Sequence, residues 1–433
     1  MKTPIRSSAT RAFVLAAMVC AASALADVRF LGEGNIPGTA TDQSGLAGLL
    51  EDGVTPANRV GGLGSAITYT GVGDFYVATP DRGPADGTTS YVDRIYTIRL
   101  SLRKTGANSM GVTPSLVATR LMRSGRHFLT GSAAAFDATN SPDSLRFDPE
   151  GIRVAACGRT AFVSDEYGPF VYEFDLDTGA RLRSLKVPNK LLIDLPSADG
   201  NEELAFNASG RQANRGMEGL AISPDGSRLF GIMQSALLQD GALDAALKRV
   251  GTNNRIVELD LATGAIREYL YQLESEGNGV NELLAVNDRE FLVIERDGKA
   301  GTAAAFKKVF RIDIAGATDI RAVSSLPATG TPDGVVPVAK ALFLDLLDSA
   351  FGLEGASFPE KIEGLAFGPD LRDGRHVLIV TNDNDFVPAQ PNRFLVFAID
   401  RSDLPAFTPQ DLSRFRRGCF DHGDDHGPRP RWG

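Results

Sequence analysis

The sequence has few of the residues on which nucleophilic and transition-metal chemistry depend. Its 433 residues include three cysteines, four histidines and one tryptophan. The sequence therefore has few cysteines for a thiolate-rich zinc site and few histidines for a mechanism that uses several imidazoles. The motifs Gly-x-Ser-x-Gly and His-Glu-x-x-His are absent, and Gly32-Glu-Gly34 is an incomplete dinucleotide fingerprint. Hydrolysis by activated water, supported by oxygen ligands, is the chemistry that remains.

The sequence also lacks an excess of basic residues and, beyond its N-terminus, any long apolar run. A net charge of −9 argues against binding nucleic acid through bulk charge. Three basic residues precede an apolar run over residues 12–25 that ends in Ala24-Leu25-Ala26. This pattern predicts a secretory signal peptide over residues 1–26, cleaved after Ala26. We therefore expect a periplasmic or secreted protein that has no membrane span and acts as a monomer.

Export would place Cys157 and Cys419 in an oxidising compartment, where they could form a disulfide. The sequence leaves this pairing open, because Cys157 falls in a predicted strand and Cys419 in the C-terminal tail. Residues 415–433 are rich in Arg, Asp, His, Gly and Pro, and we expect this tail to be disordered.

An internal repeat organises the chain between these termini. Its first element is Glu followed by alternating apolar residues, and the copies lie at 150–154, 218–222, 282–286 and 363–367, with a degenerate copy at 61–65. A second apolar element ends in polar or acidic residues, and its copies lie at 75–81, 161–166, 229–234, 291–297 and 377–385. Turn residues such as Ser223-Pro-Asp-Gly226 join the two elements, so each pair is predicted to form a β-hairpin.

A third element alternates apolar and polar residues, and its copies lie at 94–100, 170–176, 255–261, 308–314 and 393–400. Fourth strands follow at 181–187 and 265–271. This pattern predicts an all-β fold, a β-propeller of five recognisable four-stranded repeats over residues 27–414. An N-terminal strand at 27–33 would close the ring. Segments 101–147, 189–214 and 315–360 could hold a sixth blade or form lids. An antiparallel sandwich would not require one hairpin pattern five times.

The repeat is expected to bring carboxylates to one end of the propeller axis, because first strands begin beside the ends of second strands. The expected metal ligands are Asp81, Glu150, Asp165, Glu166, Glu218, Glu282, Glu295, Glu363 and Asp383. Asp297 and Asp385 belong to the same rim. So many carboxylates repel one another unless a cation compensates them, and oxygen ligands favour Ca²⁺. The alternative is that these acids cap turns and pair with Arg82, Arg215, Arg296 and Lys361.

Basic residues also recur at the predicted rim. Arg94, Arg255, Lys308 and Arg393 begin third strands, and Arg82 and Arg296 follow the acids directly. Carboxylates and guanidinium groups around a funnel suit an oxyanion held between a metal ion and arginines. We therefore expect Glu218 and Asp383 to act on a metal-activated water and Arg82 and Arg255 to stabilise the developing negative charge.

The motifs in combination resemble the family called "esterase-like activity of phytase". The similar segments are Gly61-Gly-Leu with Asp81-Arg-Gly83, Ser164-Asp-Glu-Tyr-Gly168, 217–226, Asn254-Arg255, and 362–367 with Thr381-Asn-Asp-Asn384. The resemblance implies a calcium-supported propeller that hydrolyses phosphate or carboxylic esters. Gly61 replaces the repeated Glu and Gln234 replaces an acid, so two units depart from the pattern.

Three functions are consistent with the sequence. The first is a Ca²⁺-dependent hydrolase of small-molecule esters, possibly phosphorylated, and the second is a lactonase-like carboxylic esterase. The third is a non-catalytic propeller that binds a ligand or partner through its rim and uses a metal only for stability.

Overall fold

A computed structural model describes residues 26–139 and 141–412 of the chain. Strand β1 (Val28–Ile36) opens the described part, and 21 further strands and a single helical segment of α type, α1 (Gly200–Phe206), follow within it. Five antiparallel four-stranded sheets form a five-bladed β-propeller. Residues 1–25 of the predicted signal peptide and the predicted C-terminal tail lie outside the described residues, as does Cys419.

The first two blades follow each other along the chain. Blade I consists of β2 (Ala66–Tyr69), β3 (Phe75–Thr79), β4 (Arg94–Lys104) and β5 (Met110–Leu121). A small hairpin of β6 (Arg123–Ser124) and β7 (His127–Phe128) comes next. Blade II consists of β8 (Pro149–Val154), β9 (Thr160–Asp165), β10 (Val171–Asp175) and β11 (Arg181–Leu185).

Blades III and IV repeat the same order of strands. Blade III consists of β12 (Met217–Ile222), β13 (Arg228–Met233), β14 (Asn253–Asp260) and β15 (Ile266–Gln272). Blade IV consists of β16 (Gly279–Ala285), β17 (Glu290–Arg296), β18 (Lys307–Asp313) and β19 (Ala339–Asp345). Five short 3-10 segments lie in the connections, at Ala133–Ala135, Asn189–Leu191, Leu238–Asp240, Gly301–Ala303 and Ser349–Phe351.

Blade V confirms the predicted ring closure. It consists of β20 (Lys361–Gly368), β21 (His376–Asp383) and β22 (Asn392–Ile399), with the N-terminal β1 as its outer strand. Strand β1 pairs antiparallel with β22 from Val28↔Ile399 to Ile36↔Asn392. The first and last strands of the described part are thereby joined in one sheet, which removes an exposed blade edge.

The long intervening segments do not add a blade to the described structure. Segment 101–147 carries the end of β4, strand β5 and the β6–β7 hairpin, segment 189–214 carries α1, and segment 315–360 carries β19. The inner strands contact one another in the order β2, β8, β12, β16, β20 and back to β2. Both faces of a blade are covered by neighbours, which explains why the first two strands of blades II to V are almost entirely buried.

The two ends of the central channel differ. Where the inner strands finish, the segment 404–412 crosses the channel and is held by Thr408 N donating to Val286 O at 2.9 Å and Asp411 N donating to Pro224 O at 2.7 Å. A largely apolar cavity of about 510 Å³ lies behind this segment. The opposite end, where the inner strands begin, is open and charged.

Candidate functional site

A β-bulge or register irregularity interrupts four of the five inner strands at the point where the repeated polar residue lies. Register shifts occur between Pro149 and Ile152, between Met217 and Gly219, between Val280 and Glu282, and between Ile362 and Leu365. A bulge leaves one residue outside the ladder and redirects its side chain. The repeated residue is thereby turned toward the mouth of the channel.

The strand register defines two equivalent positions in every blade. The paired reference residues are Ile67↔Ala78, Ile152↔Val163, Leu220↔Gly231, Leu283↔Val293 and Leu365↔Val380. The inner position lies two residues before the first member of each pair. In blades I to V it is occupied by Ser65, Glu150, Glu218, Asn281 and Glu363. The outer position lies three residues after the second member of each pair. In blades I to V it is occupied by Asp81, Glu166, Gln234, Arg296 and Asp383.

In blade IV, the residue that matches the repeated Glu in sequence lies one position away from the residue that the strand register places at the inner position. Asn281, and not Glu282, is the structural equivalent of Glu218, and Glu282 corresponds to Gly219. Glu282 is fully buried and forms an ion pair with Arg153 at 2.9 Å, deeper in the channel. It therefore does not line the open cavity.

The acids next to the outer positions also point elsewhere. Asp165 accepts hydrogen bonds from the backbone N–H groups of Asp148, Tyr167 and Gly168 at 2.9–3.1 Å. Glu295 accepts hydrogen bonds from Tyr271 Oη and Lys340 Nζ at 2.9 and 2.7 Å.

Asp297 likewise accepts from the N–H of Ala305 at 2.9 Å and pairs with Lys307 at 2.9 Å. Neighbours in a strand face opposite ways, so the flanking acids serve turns and blade contacts. The expected ligands that the structure brings to the mouth are Asp81, Glu150, Glu166, Glu218, Glu363 and Asp383.

Neutral side chains join the inner positions across blades. Ser65 Oγ lies 3.0 Å from Oε2 of Glu150 and 3.1 Å from Oε2 of Glu363. Asn281 Nδ2 donates to Oε1 of Glu218 at 2.7 Å and to Oε1 of Glu363 at 3.3 Å. These contacts link blades I–II, I–V, III–IV and IV–V. They leave the junction of blades II and III without a neutral bridge.

At that junction three carboxyl groups converge with unpaired oxygens. Oxygens of Asp148, Glu150 and Glu166 lie within 4.8 Å of one another, and Glu218 interacts with the side chain of Glu166. Arg82 pairs with Asp148 at 2.7 Å and with Glu166 at 3.3 Å. Oε1 of Glu166 and Oε2 of Glu218 are buried without a hydrogen-bond partner. We call Asp148, Glu150, Glu166 and Glu218 the II–III cluster.

A second acidic group, the V–I cluster, contains Asp81, Asp383 and Asp385, whose carboxylate oxygens also lie within 4.8 Å of one another. Lys361 Nζ lies among them, 2.7 Å from Asp383, 3.5 Å from Asp81 and in contact with Asp385. This ammonium group forms ion pairs inside the V–I cluster, whereas among the described residues the II–III cluster is paired directly only with Arg82 and receives weaker, more distant compensation from Arg215 and Arg296.

Burial raises the pKa values of the converging carboxyl groups, and their mutual repulsion adds to the effect. The pKa of Glu166 rises to about 7, first through burial and then through Asp148. Burial, followed by Glu218, raises the pKa of Glu150 well above its usual range, and burial, followed by Glu166, does the same for Glu218. The II–III cluster is thus destabilised as a set of anions unless a cation or protons enter it.

The expected basic residues divide between the cavity and the blade interior. Arg82 and Arg296 line the cavity, and Arg296 pairs with Glu363 at 2.7 Å. Arg255 is fully buried between Asp240 and Glu268, at 2.7 and 2.8 Å. It therefore has no free face toward the cavity.

The other third-strand cations form blade contacts as well. Arg94 contacts Asp42, Lys308 lies 3.7 Å from Asp345, and Arg393 lies 3.5 Å from Glu33. The bases that begin third strands therefore stabilise the blades and do not line the mouth.

The cavity at this mouth has a volume of about 210 Å³, and its walls carry opposite charge. Arg215 and Arg249, which precede β12 and β14 respectively, line it together with Asn214 and Asp86. Asn214 has a φ of 55° and Asp86 a φ of 50°, left-handed conformations that are uncommon for residues other than glycine. Strained backbone of this kind is concentrated at functional sites.

Sequence reasoning missed Asp148, Ser65, Asn281 and Arg249. Asp148 lies two residues before the repeated Glu150, in the sequence Asp-Pro-Glu, and this proximity is the signal that could have identified it. Ser65 and Asn281 are visible only from the strand register. Arg249 lies in a long loop and belongs to no repeat.

Comparison with protein families agrees with this architecture. A family model described as phytase-like, "esterase-like activity of phytase", matches residues 58–386. The chain belongs to this phytase-like family. The match spans all the residues that form the II–III and V–I clusters.

Matches to individual proteins give less information about this chain than the family match does. An uncharacterized secreted protein of Arthroderma benhamiae is 29% identical over 310 residues, covering 56% of this chain and 58% of the relative. The chain thus spans little more than half of that relative's length. A glutaminyl cyclase of Myxococcus xanthus (12% identity, TM-score 0.36) matches over 86% of this chain and 97% of its own.

A structure from Bacteroides uniformis, whose title describes a 6-phosphogluconolactonase, matches over 78% of this chain and 86% of its own (11% identity, TM-score 0.31). Both TM-scores are below 0.5, so neither likeness bears on the activity of this phytase-like chain. Among residues 26–139 and 141–412, no helix has the length and apolarity of a bilayer span.

The residues of the II–III cluster fit a hard divalent cation. All the candidate donors are carboxylate oxygens, the ligand type that Ca²⁺ prefers. Two of these oxygens are buried and unpaired. The four carboxylates of the cluster with Arg82 carry a formal charge of −3 when ionised, which a divalent cation would reduce to −1.

Proposed function

We propose that this phytase-like propeller is an exported, Ca²⁺-dependent ester hydrolase that acts on phosphate esters. The observation that carries the proposal is the convergence of Asp148, Glu150 and Glu166 at an open channel mouth, with buried unpaired carboxylate oxygens beside them. The family match supports a phytase-like activity, and the relative described as secreted supports export.

Each residue has a proposed role. Asp148, Glu150 and Glu166 of the II–III cluster would hold the cation, which when bound would lower the pKa of a coordinated water and polarise the substrate oxygen. Glu218, whose Oε2 has no partner, is placed to accept the proton of the attacking water. Arg82 borders both the cluster and the cavity and would stabilise negative charge that develops on the substrate.

Asp383 has a different proposed role from Glu218. It is held by Lys361 at 2.7 Å and by the N–H of Asp385 at 2.7 Å. We assign Asp383 and Asp81 to a second, weaker cation position in which Lys361 is the competing charge. Arg255 is left out of the proposed machinery because Asp240 and Glu268 occupy its guanidinium group.

The test is an assay of purified protein on phosphomonoesters, phosphodiesters, aryl esters and lactones, with Ca²⁺ and with chelator. We expect phosphate-ester turnover that chelator abolishes, that Glu166→Gln and Glu218→Gln reduce by at least about 100-fold, and that the outer-strand control Asp345→Asn leaves unchanged. Turnover that survives chelator and both substitutions would refute the proposal. Turnover restricted to lactones or aryl esters would favour a carboxylic esterase.

A further inference from the structure

Two partly buried arginines on the blade III side of the cavity differ from the fully buried cations of the described chain. Arg215 donates a hydrogen bond to Oε1 of Gln234, and its guanidinium group has no carboxylate partner within the described residues. Across the same ranges, the side chain of Arg249 has neither an ion pair nor a hydrogen bond. Both side chains line the open cavity.

Elsewhere, buried cations have carboxylate partners. Examples are Arg82 with Asp148, Arg94 with Asp42, Arg146 with Glu203, Arg153 with Glu282, Arg255 with Asp240, Arg296 with Glu363 and Lys361 with Asp383. A desolvated charge without such a partner is costly. Arg59 is a partly buried arginine that also lacks a carboxylate partner within the described residues, but it does not line the cavity, so the free pair at the mouth is a feature of this wall.

Burial and the neighbouring Arg249 lower the pKa of Arg215 to about 10. Arg215 therefore stays protonated at neutral pH, although its environment disfavours the charge. An anion between the two guanidinium groups would relieve both burial and repulsion. Guanidinium groups suit anions that present two or more acceptor oxygens.

Gln234 explains why Arg215 has no direct ion pair, although Glu166 and Glu218 lie near enough to favour its charge. It occupies the outer position of blade III, where blades I, II and V have the acids Asp81, Glu166 and Asp383. Its Oε1 accepts from Arg215, and its Nε2 donates to Oε1 of Glu218 at 2.7 Å. An amide at this position orients the guanidinium group without neutralising its charge.

We propose that Arg215 and Arg249 form an oxyanion-binding pair that takes a phosphate or carboxylate group of the ligand. The inference deepens the proposed function, on which it rests for the identity of the ligand as a substrate. The acidic II–III cluster and the cationic pair then line one cavity side by side, joined through Gln234. A ligand could bridge them, with its anionic group on the arginines and its reacting oxygen toward the acids.

The experiment is isothermal titration calorimetry of the full chain with inorganic phosphate and, separately, with acetate, in buffer without metal. The variants are Arg215→Gln/Arg249→Gln and Gln234→Glu, with Arg289→Gln as a matched control. Arg289 is exposed in the turn between β16 and β17, at the far end of that hairpin from the cavity. The melting temperature of each variant reports whether it is folded.

We expect saturable phosphate binding in the unchanged chain, weakened at least about tenfold by the double substitution and unaffected by Arg289→Gln. Gln234→Glu should weaken binding similarly, because the new carboxylate would pair with Arg215 while both arginines remain. This second variant keeps the test decisive if the double variant does not fold. Acetate binding of equal strength would identify a carboxylate as the ligand group.

Absence of binding in the unchanged chain, or binding in both Gln234→Glu and the double variant that is as strong as in the unchanged chain, would overturn the inference. This outcome is separable from failure of the proposed function, because binding is measured without turnover. Phosphate binding that depends on the arginines would stand even if no ester were hydrolysed. Ester turnover with an unchanged KM in both variants would count against the arginine pair alone.

Discussion

The amide nitrogen of Asn281 lies 2.7 Å from Oε1 of Glu218 and joins blade IV to blade III at the narrow part of the channel mouth. Asn281 is the structural counterpart of Glu218, one blade further around the ring. Replacing the repeated acid by an amide turns a repulsive pair of neighbours into a hydrogen-bonded pair. Ser65 has the same effect between Glu150 and Glu363.

We predict that Asn281→Ala destabilises the fold by about 1–3 kcal/mol, because each of two buried carboxylate oxygens loses one of its two donors and the link between blades III, IV and V is removed. Urea unfolding at neutral pH in chelator measures the change. The control is Asn201→Ala, since Asn201 is exposed at the start of α1 and should change the free energy of unfolding by less than about 0.5 kcal/mol. Equal losses in the two variants would contradict the bridging role.

Lys361 should compete with added cations for the V–I cluster. Removing its charge with Lys361→Gln leaves three carboxylates without a counter-ion, and we expect Ca²⁺ to bind there about tenfold more tightly or better. The melting temperature in chelator should fall, and its increase on adding Ca²⁺ should exceed that of the unchanged chain. Lys308→Gln, on the outer part of blade IV, serves as the control. An unchanged response to Ca²⁺ in Lys361→Gln would show that the lysine is not the competitor.

The carboxyl group of Glu203 ties α1 to the neighbouring loops. Although burial acts in the opposite direction, Arg211 and Arg146 hold the pKa of Glu203 below its usual value of 4.5. A lowered pKa stabilises the fold above the usual value, and this contribution is lost as the pH falls through the lowered one. We predict that Glu203→Gln costs about 3 kcal/mol at pH 7, and that the deficit shrinks below about pH 4.

Thermal melts of the unchanged chain and Glu203→Gln between pH 3 and pH 7 would follow this effect. Glu202→Gln, which alters the exposed neighbour, should show no such dependence. A deficit that stays constant with pH would mean that the ion pairs are not its source.

The ring closure can be tested at a glycine that a larger residue would not fit. A Cβ atom at Gly34 on β1 would lie 2.5 Å from the carbonyl oxygen of Val112 on β5. We therefore predict that Gly34→Ala lowers stability by about 1–3 kcal/mol. At Gly111 the nearest atom would be 3.4 Å away, so Gly111→Ala should be tolerated. Denaturant unfolding compares the two, and equal stability would contradict tight packing of the closing strand.

Much of the fold could be predicted because each blade repeats the same local signals. The turns after β10 and β14 share the sequence Asp-Leu-x-Thr-Gly, at 175–179 and 260–264, and in them Thr178 donates to Asp175 at 2.7 Å and Thr263 donates to Asp260 at 2.8 Å. The closing strand was visible from its position and composition. The sequence could not decide between five and six blades, because the long loops and the outer strands such as β5 and β19 have no shared motif.

The site was harder to predict because a β-bulge changes the register by one residue. Glu282 matches the repeated Glu in sequence, yet Asn281 takes the structural position, and Glu282 pairs with Arg153 inside the channel. Glu295 and Asp297 flank Arg296, which alone occupies the outer position of blade IV. One-residue shifts exchange the two faces of a strand, so spacing alone cannot decide which acid reaches the mouth. Arg249 was not predictable from any repeat, since a loop delivers it.

Calcium titration of the chelator-treated chain, followed by calorimetry, tests the existence of the cation site most directly. Saturable binding with a dissociation constant at or below about 1 mM is expected, and Asp148→Asn and Glu166→Gln should each weaken it at least about tenfold, while Asp345→Asn should not. A chain that shows no saturable calcium binding up to about 10 mM, or whose binding is unaffected by both substitutions, would contradict a metal site between blades II and III.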